Sequence, residues 1–167
     1  MNRKIKETAI ASVMAALICI ATMIIKIPSP LKGYINLGDC AVLTAGQFLS
    51  PLFSFFAAGI GSAFADIFSG YAVYAPATFI IKGLMATVSF YCFNLLRKKL
   101  SETFSYIVSA VAAEALMVVG YYVFEGFLYG FIASAVNIPA NCVQGIAGIL
   151  ISTVLLKALK GIKTDIY

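Results

Sequence analysis

The residues of this chain that could do chemistry are few and stand in apolar surroundings: Asp39, Asp66, Lys82 and Glu114. Each ionised group inside a bilayer costs about 2.5 to 3.5 kcal/mol even on lenient insertion scales, so groups kept there need a partner or a role. Asp66 lies about 22 Å along its helix from Pro51, and Lys82 about 9 Å from Pro76 at the opposite end, at a rise of 1.5 Å per residue. The two therefore reach nearly the same level and are expected to pair, either as a lock between neighbouring helices or as ligand contacts. Asp39 falls at the outer end of its segment and Glu114 closer to the midplane.

Amides and hydroxyls extend this set. Glu114, Met117, Tyr121 and Glu125 recur at helical spacing on one face, and Asn137, Asn141, Gln144 and Gly148 do the same further on. With Asn36, Asp39, Asp66, Tyr74, Thr78 and Lys82 they describe a polar cup open to one side, and the other half of the membrane has no matching groups. Amides also glue helices to one another, so that role stands beside ligand binding for Asn137, Asn141 and Gln144. Catalysis finds little footing. The chain has no histidine, no Gly-x-Ser-x-Gly turn and no acidic pair at metal spacing. Cys19, Cys40, Cys92 and Cys142 stand singly, as small packing residues rather than metal ligands or disulfide partners. No cofactor or metal is expected.

The elements that must hold these groups are membrane helices. Of the 167 residues 62% are hydrophobic and only 11% charged, against about a quarter charged in soluble domains. The spans read as Thr8 to Ile25, Tyr34 to Leu49, Pro51 to Ser69, Pro76 to Leu96, Phe104 to Phe124 and Pro139 to Leu159. Prolines at 28, 30, 51 and 76 and the Arg97-Lys98-Lys99 cluster mark the boundaries. The first stretch follows a basic start but lacks a small-residue cleavage site, and is read as a span rather than a signal peptide. The whole chain, 1–167, reads as one transmembrane domain, an all-α bundle of six helices.

Alternate threading puts Arg3, Lys4, Lys6, Arg97, Lys98, Lys99, Lys157, Lys160 and Lys163 on one face and only Lys26 and Lys32 on the other. By the positive-inside rule both termini are then cytoplasmic, and the net charge of +5 serves orientation rather than nucleic-acid binding. Small residues recur at Ala11-x-x-x-Ala15 and at Ala57-x-x-x-Gly61-x-x-x-Ala65, where backbones can approach closely.

The stretches Tyr34-Ile35-Asn36-Leu37-Gly38-Asp39, Gly61-Ser62-Ala63-Phe64-Ala65-Asp66 and Tyr74-Ala75-Pro76-Ala77-Thr78-Phe79-Ile80-Ile81-Lys82-Gly83 resemble the S components of energy-coupling factor (ECF) transporters. The similarity is greatest to the riboflavin-transporter-like subgroup, which also holds hydroxymethylpyrimidine and vitamin B6 carriers. The resemblance implies a six-helix substrate-binding subunit of the bacterial plasma membrane that captures a vitamin outside. It also implies docking on a transmembrane coupling subunit served by two ATPases, through the small-residue face of the first helix, here Ala11 and Ala15, and toppling of the whole bundle to carry the cup inward. The chain has no tryptophan to stack on a ligand, so Tyr71, Tyr74, Tyr121 or phenylalanines must serve. A small polar heteroaromatic such as pyridoxine or hydroxymethylpyrimidine suits the lysine, carboxylates and amides better than bulky riboflavin. The competing reading is a structural or assembly membrane protein without ligand, which predicts no need for buried charges on the outer side.

Overall fold

The computed structural model describes residues 3–31 and 33–159, with the side chain of Arg3 excepted. Lys32, Lys160 and Lys163, three of the cations that enter the orientation argument, lie outside the described residues, as does the side chain of Arg3. The expected bundle of six helices is present: α1 (Arg3–Ile24), α2 (Gly38–Phe48), α3 (Pro51–Phe68), α4 (Ala75–Leu96), α5 (Glu102–Tyr129) and, after a single-turn α6 (Phe131–Ser134) and a 3-10 turn (Ala135–Asn137), α7 (Ile138–Leu159). Among the described residues, five helical stretches are long and apolar enough to cross a membrane: α1, α3, α4, α5 and the run from Phe131 to Leu159. Their outward residues, among them Val13, Leu52, Phe56, Leu95, Val119, Ile146 and Leu150, form the apolar surface that lipid requires.

The helix starts follow the sequence's punctuation. Pro51 and Pro76 open α3 and α4 at positions where a missing N–H costs nothing. Ser101 caps α5, its hydroxyl accepting from the Phe104 N–H at 3.4 Å. Gly130, at φ 91°, ends that helix in a conformation other residues adopt only under strain. At 28 residues α5 outruns its expected limits at both ends, which brings Glu125 inside the helix.

The larger departure lies between α1 and α2. The segment read as the beginning of the second helix is the second strand of a hairpin, β1 (Lys26–Pro28) pairing antiparallel with β2 (Tyr34–Asn36), Ile27 opposite Ile35. Asn36 ends the strand: its side-chain Oδ1 accepts from the Gly38 N–H at 2.9 Å, a local bond that competes with helix and delays the helical start to Gly38. With 11 residues α2 extends about 16 Å, half of a hydrocarbon core. Eight of those residues are buried, so α2 is the pillar around which α1, α3, α4 and α7 stand. Val42, Leu43 and Ala45 have no exposed surface and pack with Ala58, Met85, Ala86, Ala113 and Met117.

Two ends of the bundle follow from this threading. The hairpin end holds β1, β2, the starts of α2, α4 and α7 and the finishes of α3 and α5. The opposite end holds Lys4, Lys6, Arg97, Lys98, Lys99 and Lys157. There Glu7 of α1, buried, accepts from the Ser50 N–H at 2.9 Å, so α1 is tied to the α2–α3 turn by a charged acceptor on an otherwise unpaired backbone donor. The α1–α3 contact is close because Gly61 has no Cβ; one placed there would meet the Ala15 carbonyl oxygen.

Candidate functional site

The polar residues that punctuate the apolar helices converge at the hairpin end. Non-helical backbone here has no lipid or helix partner, and Gln144 of α7 and Asn137 of the preceding 3-10 turn supply it with side-chain acceptors. The Asn36 N–H donates to Gln144 Oε1 at 2.8 Å, and the Leu31 N–H donates to Asn137 Oδ1 at 3.2 Å. Each of these amides turns its nitrogen to a carboxylate: Gln144 Nε2 donates to Asp39 Oδ2 at 2.6 Å, and Asn137 Nδ2 to Glu125 Oε1 at 2.8 Å. The amides therefore do serve as glue: Gln144 ties α7 to α2 and to the hairpin, and Asn137 ties the 3-10 turn to α5 and to the Leu31 backbone.

Between the hairpin and the helix ends lies a cavity of about 30 Å³, room for about one water, lined by Ser29, Gly33, Tyr34, Asn36, Asp66, Tyr71, Tyr74, Thr78, Tyr121, Glu125, Asn137, Asn141 and Gln144. Eight of the eleven residues expected to bind substrate are in this wall: Asn36, Asp66, Tyr74, Thr78, Tyr121, Asn137, Asn141 and Gln144. Asp39, Lys82 and Glu114 are not. They form a buried layer of ionisable side chains packed around the first turn of α2.

Within that layer Lys82 pairs with Asp39, not with Asp66 as the depth argument expects. The reason is the hairpin. With Tyr34–Asn36 taken into β2, α2 starts deeper, and Asp39 in its first turn sits at the level of Lys82 rather than at the outer rim. The ammonium also lies 5.5 Å from the centre of the Tyr121 ring, within cation–π range. Asp66 instead accepts from the Tyr34 hydroxyl at 2.6 Å. Burial and the adjoining Asp66 carboxylate push the Tyr34 phenol above its ordinary range, so that hydroxyl remains a donor.

Glu114 packs into a notch cut by two glycines of α7. A Cβ on Gly145 would lie 3.1 Å from Glu114 Oε2, and one on Gly148 would lie 2.9 Å from Glu114 Oε1. Both oxygens of this buried carboxyl lack a hydrogen-bond partner. Asp66 Oδ2 and Glu125 Oε2 are likewise buried and unpartnered, and both residues line the cavity.

Sequence reasoning left Glu125, Tyr34 and Ser29 outside the candidate set. Glu125 stands on the helical face that the sequence already assigns to the polar cup, one residue past the expected helix end at Phe124, but it does not enter the set of substrate-binding residues. Tyr34 reaches the cavity only because the hairpin folds over it. At the mouth three tyrosines stand together: Tyr34 and Tyr71 have ring centres 4.7 Å apart, and Tyr71 and Tyr74 lie 6.4 Å apart. Tyr74 also reaches Glu125 Oε1, at 3.4 Å.

Ala11 and Ala15 lie elsewhere, in the floor of an exposed apolar groove of about 650 Å³ between α1 and α3, with Ala16, Phe56, Ile60, Gly61 and Phe64 among its walls. Ala11 is buried against α3 while Ala15 is half-buried.

Known proteins share this architecture. The family model for the ECF-type riboflavin transporter, S component, matches residues 2–161. A curated protein of Pyrococcus woesei, described as an uncharacterised protein in the gap 3' region, is 31% identical over 135 residues, covering 80% of this chain and 88% of its own. Two solved structures share the fold. One is the S component of a bacterial ECF transporter, with TM-score 0.77, 22% identity and coverage of 97% of this chain and 99% of that one. The other is the S component for biotin from an ECF-type ABC transporter, with TM-score 0.60, 21% identity and 93% of both chains covered. The chain belongs to the ECF-type riboflavin transporter S-component family, as a multi-pass protein of the plasma membrane that serves vitamin uptake and catalyses no reaction.

Proposed function

We propose that the cavity beneath the hairpin captures a vitamin or vitamin precursor from outside the cell, and that the α1–α3 groove then carries the loaded protein onto the transmembrane coupling subunit of an ECF importer and its two ATPases. The observation that carries this reading is the cavity itself: a polar, tyrosine-rimmed chamber with unpartnered carboxylate oxygens, in a protein whose outer surface is apolar. A ligand-free assembly subunit has no use for such a chamber, since each unpaired buried polar group destabilises the fold.

The described basic residues at the end opposite the hairpin support an orientation with both termini in the cytoplasm and the cavity facing out. The small volume supports a small polar heteroaromatic such as pyridoxine or hydroxymethylpyrimidine over riboflavin, because the larger the ligand the further the hairpin must withdraw from α7. Tyr34, Tyr71 and Tyr74 provide ring faces where tryptophan is missing. Ala11 and Ala15 in the groove floor let a partner helix approach the backbone closely. Delivery then follows from toppling of the bundle as a unit, which turns the outward cavity inward.

The test is a thermal-shift screen of the detergent-purified protein against B vitamins and their precursors. A ligand that binds only the folded state raises the unfolding temperature progressively with concentration. One vitamin doing so, together with copurification of a coupling subunit, is the expected result. A panel without response and no copurifying subunit overturns the proposal.

A further inference from the structure

A further cavity lies at the end of the bundle opposite the hairpin, and neither the proposed capture nor the proposed docking uses it. It holds about 260 Å³, against about 30 Å³ beneath the hairpin, and comes close to the roughly 300 Å³ at which small-molecule sites begin. Four helices make it with their ends. Phe48 closes α2 there and Phe93 stands in the last turn of α4, while α5 begins with Glu102 and Tyr106 in the wall and α7 finishes with Thr153 and Lys157.

The wall specifies a ligand. Rings from three helices, those of Phe48, Phe93 and Tyr106, offer faces to a flat ring system rather than a channel to a chain. Tyr106 is only 5% exposed and its hydroxyl has no hydrogen-bond partner, so the wall is one acceptor short. Charge points to an anion. Lys157 stands in the wall, the Arg97 guanidinium lies 5.7 Å from the centre of the Phe93 ring, and Lys98 and Lys99 follow in the turn to α5. Against these cations stand Glu102 of the wall and the C-terminal ends of α2, α4 and α7, each end worth about half a negative elementary charge. The N-terminus of α5 adds about half a positive charge, and the balance at the mouth is positive.

We propose that this cavity is a second small-molecule site, for a compact flat aromatic anion of the aryl phosphate class. The ring lies among Phe48, Phe93 and Tyr106, the charge is turned to Lys157, and an acceptor takes the Tyr106 hydroxyl. In the orientation proposed above the site opens to the cytosol, so its ligand is a cytosolic solute and distinct from whatever enters beneath the hairpin.

Equilibrium dialysis of 1-naphthyl phosphate against the detergent-purified full-length protein tests this, with 1-naphthol and inorganic phosphate as matched probes. The expected result is saturable binding of one molecule per chain, at least tenfold tighter than either inorganic phosphate or 1-naphthol. Lys157→Gln removes the charge, and Thr153→Phe puts a ring into the space. Each is expected to weaken the probe at least tenfold. Tyr106→Phe keeps the ring and removes the hydroxyl, and is expected to weaken the probe severalfold without lowering the unfolding temperature, which a purely structural tyrosine would not do. Affinity unchanged in Lys157→Gln or in Thr153→Phe places the probe elsewhere and overturns the inference, while leaving vitamin capture standing. Uptake that never saturates, or 1-naphthol bound as tightly, overturns it as partition of a ring into apolar surroundings. Displacement of the probe by phosphatidylglycerol in nanodiscs also overturns it, because the site then belongs to a membrane lipid. If Thr153→Phe fails to fold, Lys157→Gln, at an exposed position, decides alone.

Discussion

Removing the ammonium of Lys82 leaves Asp39, which has no exposed surface, with Gln144 as its remaining partner. A buried carboxylate stripped of its counter-charge costs about 3 to 5 kcal/mol. Lys82→Met is therefore expected to destabilise the protein by about that amount in thermal unfolding, and Lys82→Met combined with Asp39→Leu to recover most of it, since an apolar pair of similar volume replaces a buried ion pair at little cost. A double variant no more stable than the single one contradicts this assignment of partners. The pairing shows how far sequence reaches at the residue scale. Which groups gather at one end was legible, because few polar residues interrupt the apolar runs and most of those singled out converge there. Which carboxylate meets Lys82 was not legible, because helix depth depends on where a helix starts, and a side-chain bond from Asn36 moved that start.

At the scale of elements, the proline and basic boundaries of α3 and α4 were readable because a missing N–H and a cluster of cations are local facts. The hairpin was not. Strands of three residues are too short to show alternation, and what holds them to the bundle lies far off in sequence: Asp66 of α3, Ser69 just after it, and Gln144 of α7, more than a hundred residues away. Gln144→Ala deprives the Asn36 N–H of its acceptor and is expected to weaken hairpin attachment by about 1 to 3 kcal/mol. Faster amide exchange at Asn36, with the helices still protected, is the sign to look for in hydrogen exchange. A pattern spread evenly over the bundle would mean the hairpin is held by other contacts. Gly61→Leu acts on the α1–α3 crossing: a side chain there drives into the Ala15 carbonyl, so the folded protein is expected to lose about 2 kcal/mol or more, with α1 the first helix to exchange.

For the molecule as a whole, the proposed function divides the work between two separable surfaces, a polar chamber at the hairpin end and an apolar groove along α1 and α3. Ala16 lines the groove yet is exposed, so it reports on docking without touching the core. If the groove docks the coupling subunit as proposed, Ala16→Trp is expected to cut vitamin uptake by cells at least tenfold while leaving binding by the purified protein within about twofold, because small residues there admit close backbone approach. Ala11→Leu, at a position buried against α3, is expected to lower uptake and also stability, and thermal unfolding separates the two. If Ala16→Trp leaves uptake intact, the partner sits elsewhere.

The half-length α2 has a bearing on how the protein is made. Asp39 and the Asn36 backbone find their Gln144 partner 105 and 108 residues later in the chain, on a helix that leaves the ribosome after all the others it packs against. A segment of 11 residues is too short to hold itself across the bilayer. During synthesis α2 therefore waits, its acid paired at best with Lys82, until α7 arrives to complete the set. Chains cut short before Ile138 are for this reason expected to remain unfinished around their own central pillar, and to be cleared by membrane proteases rather than to persist as a smaller bundle.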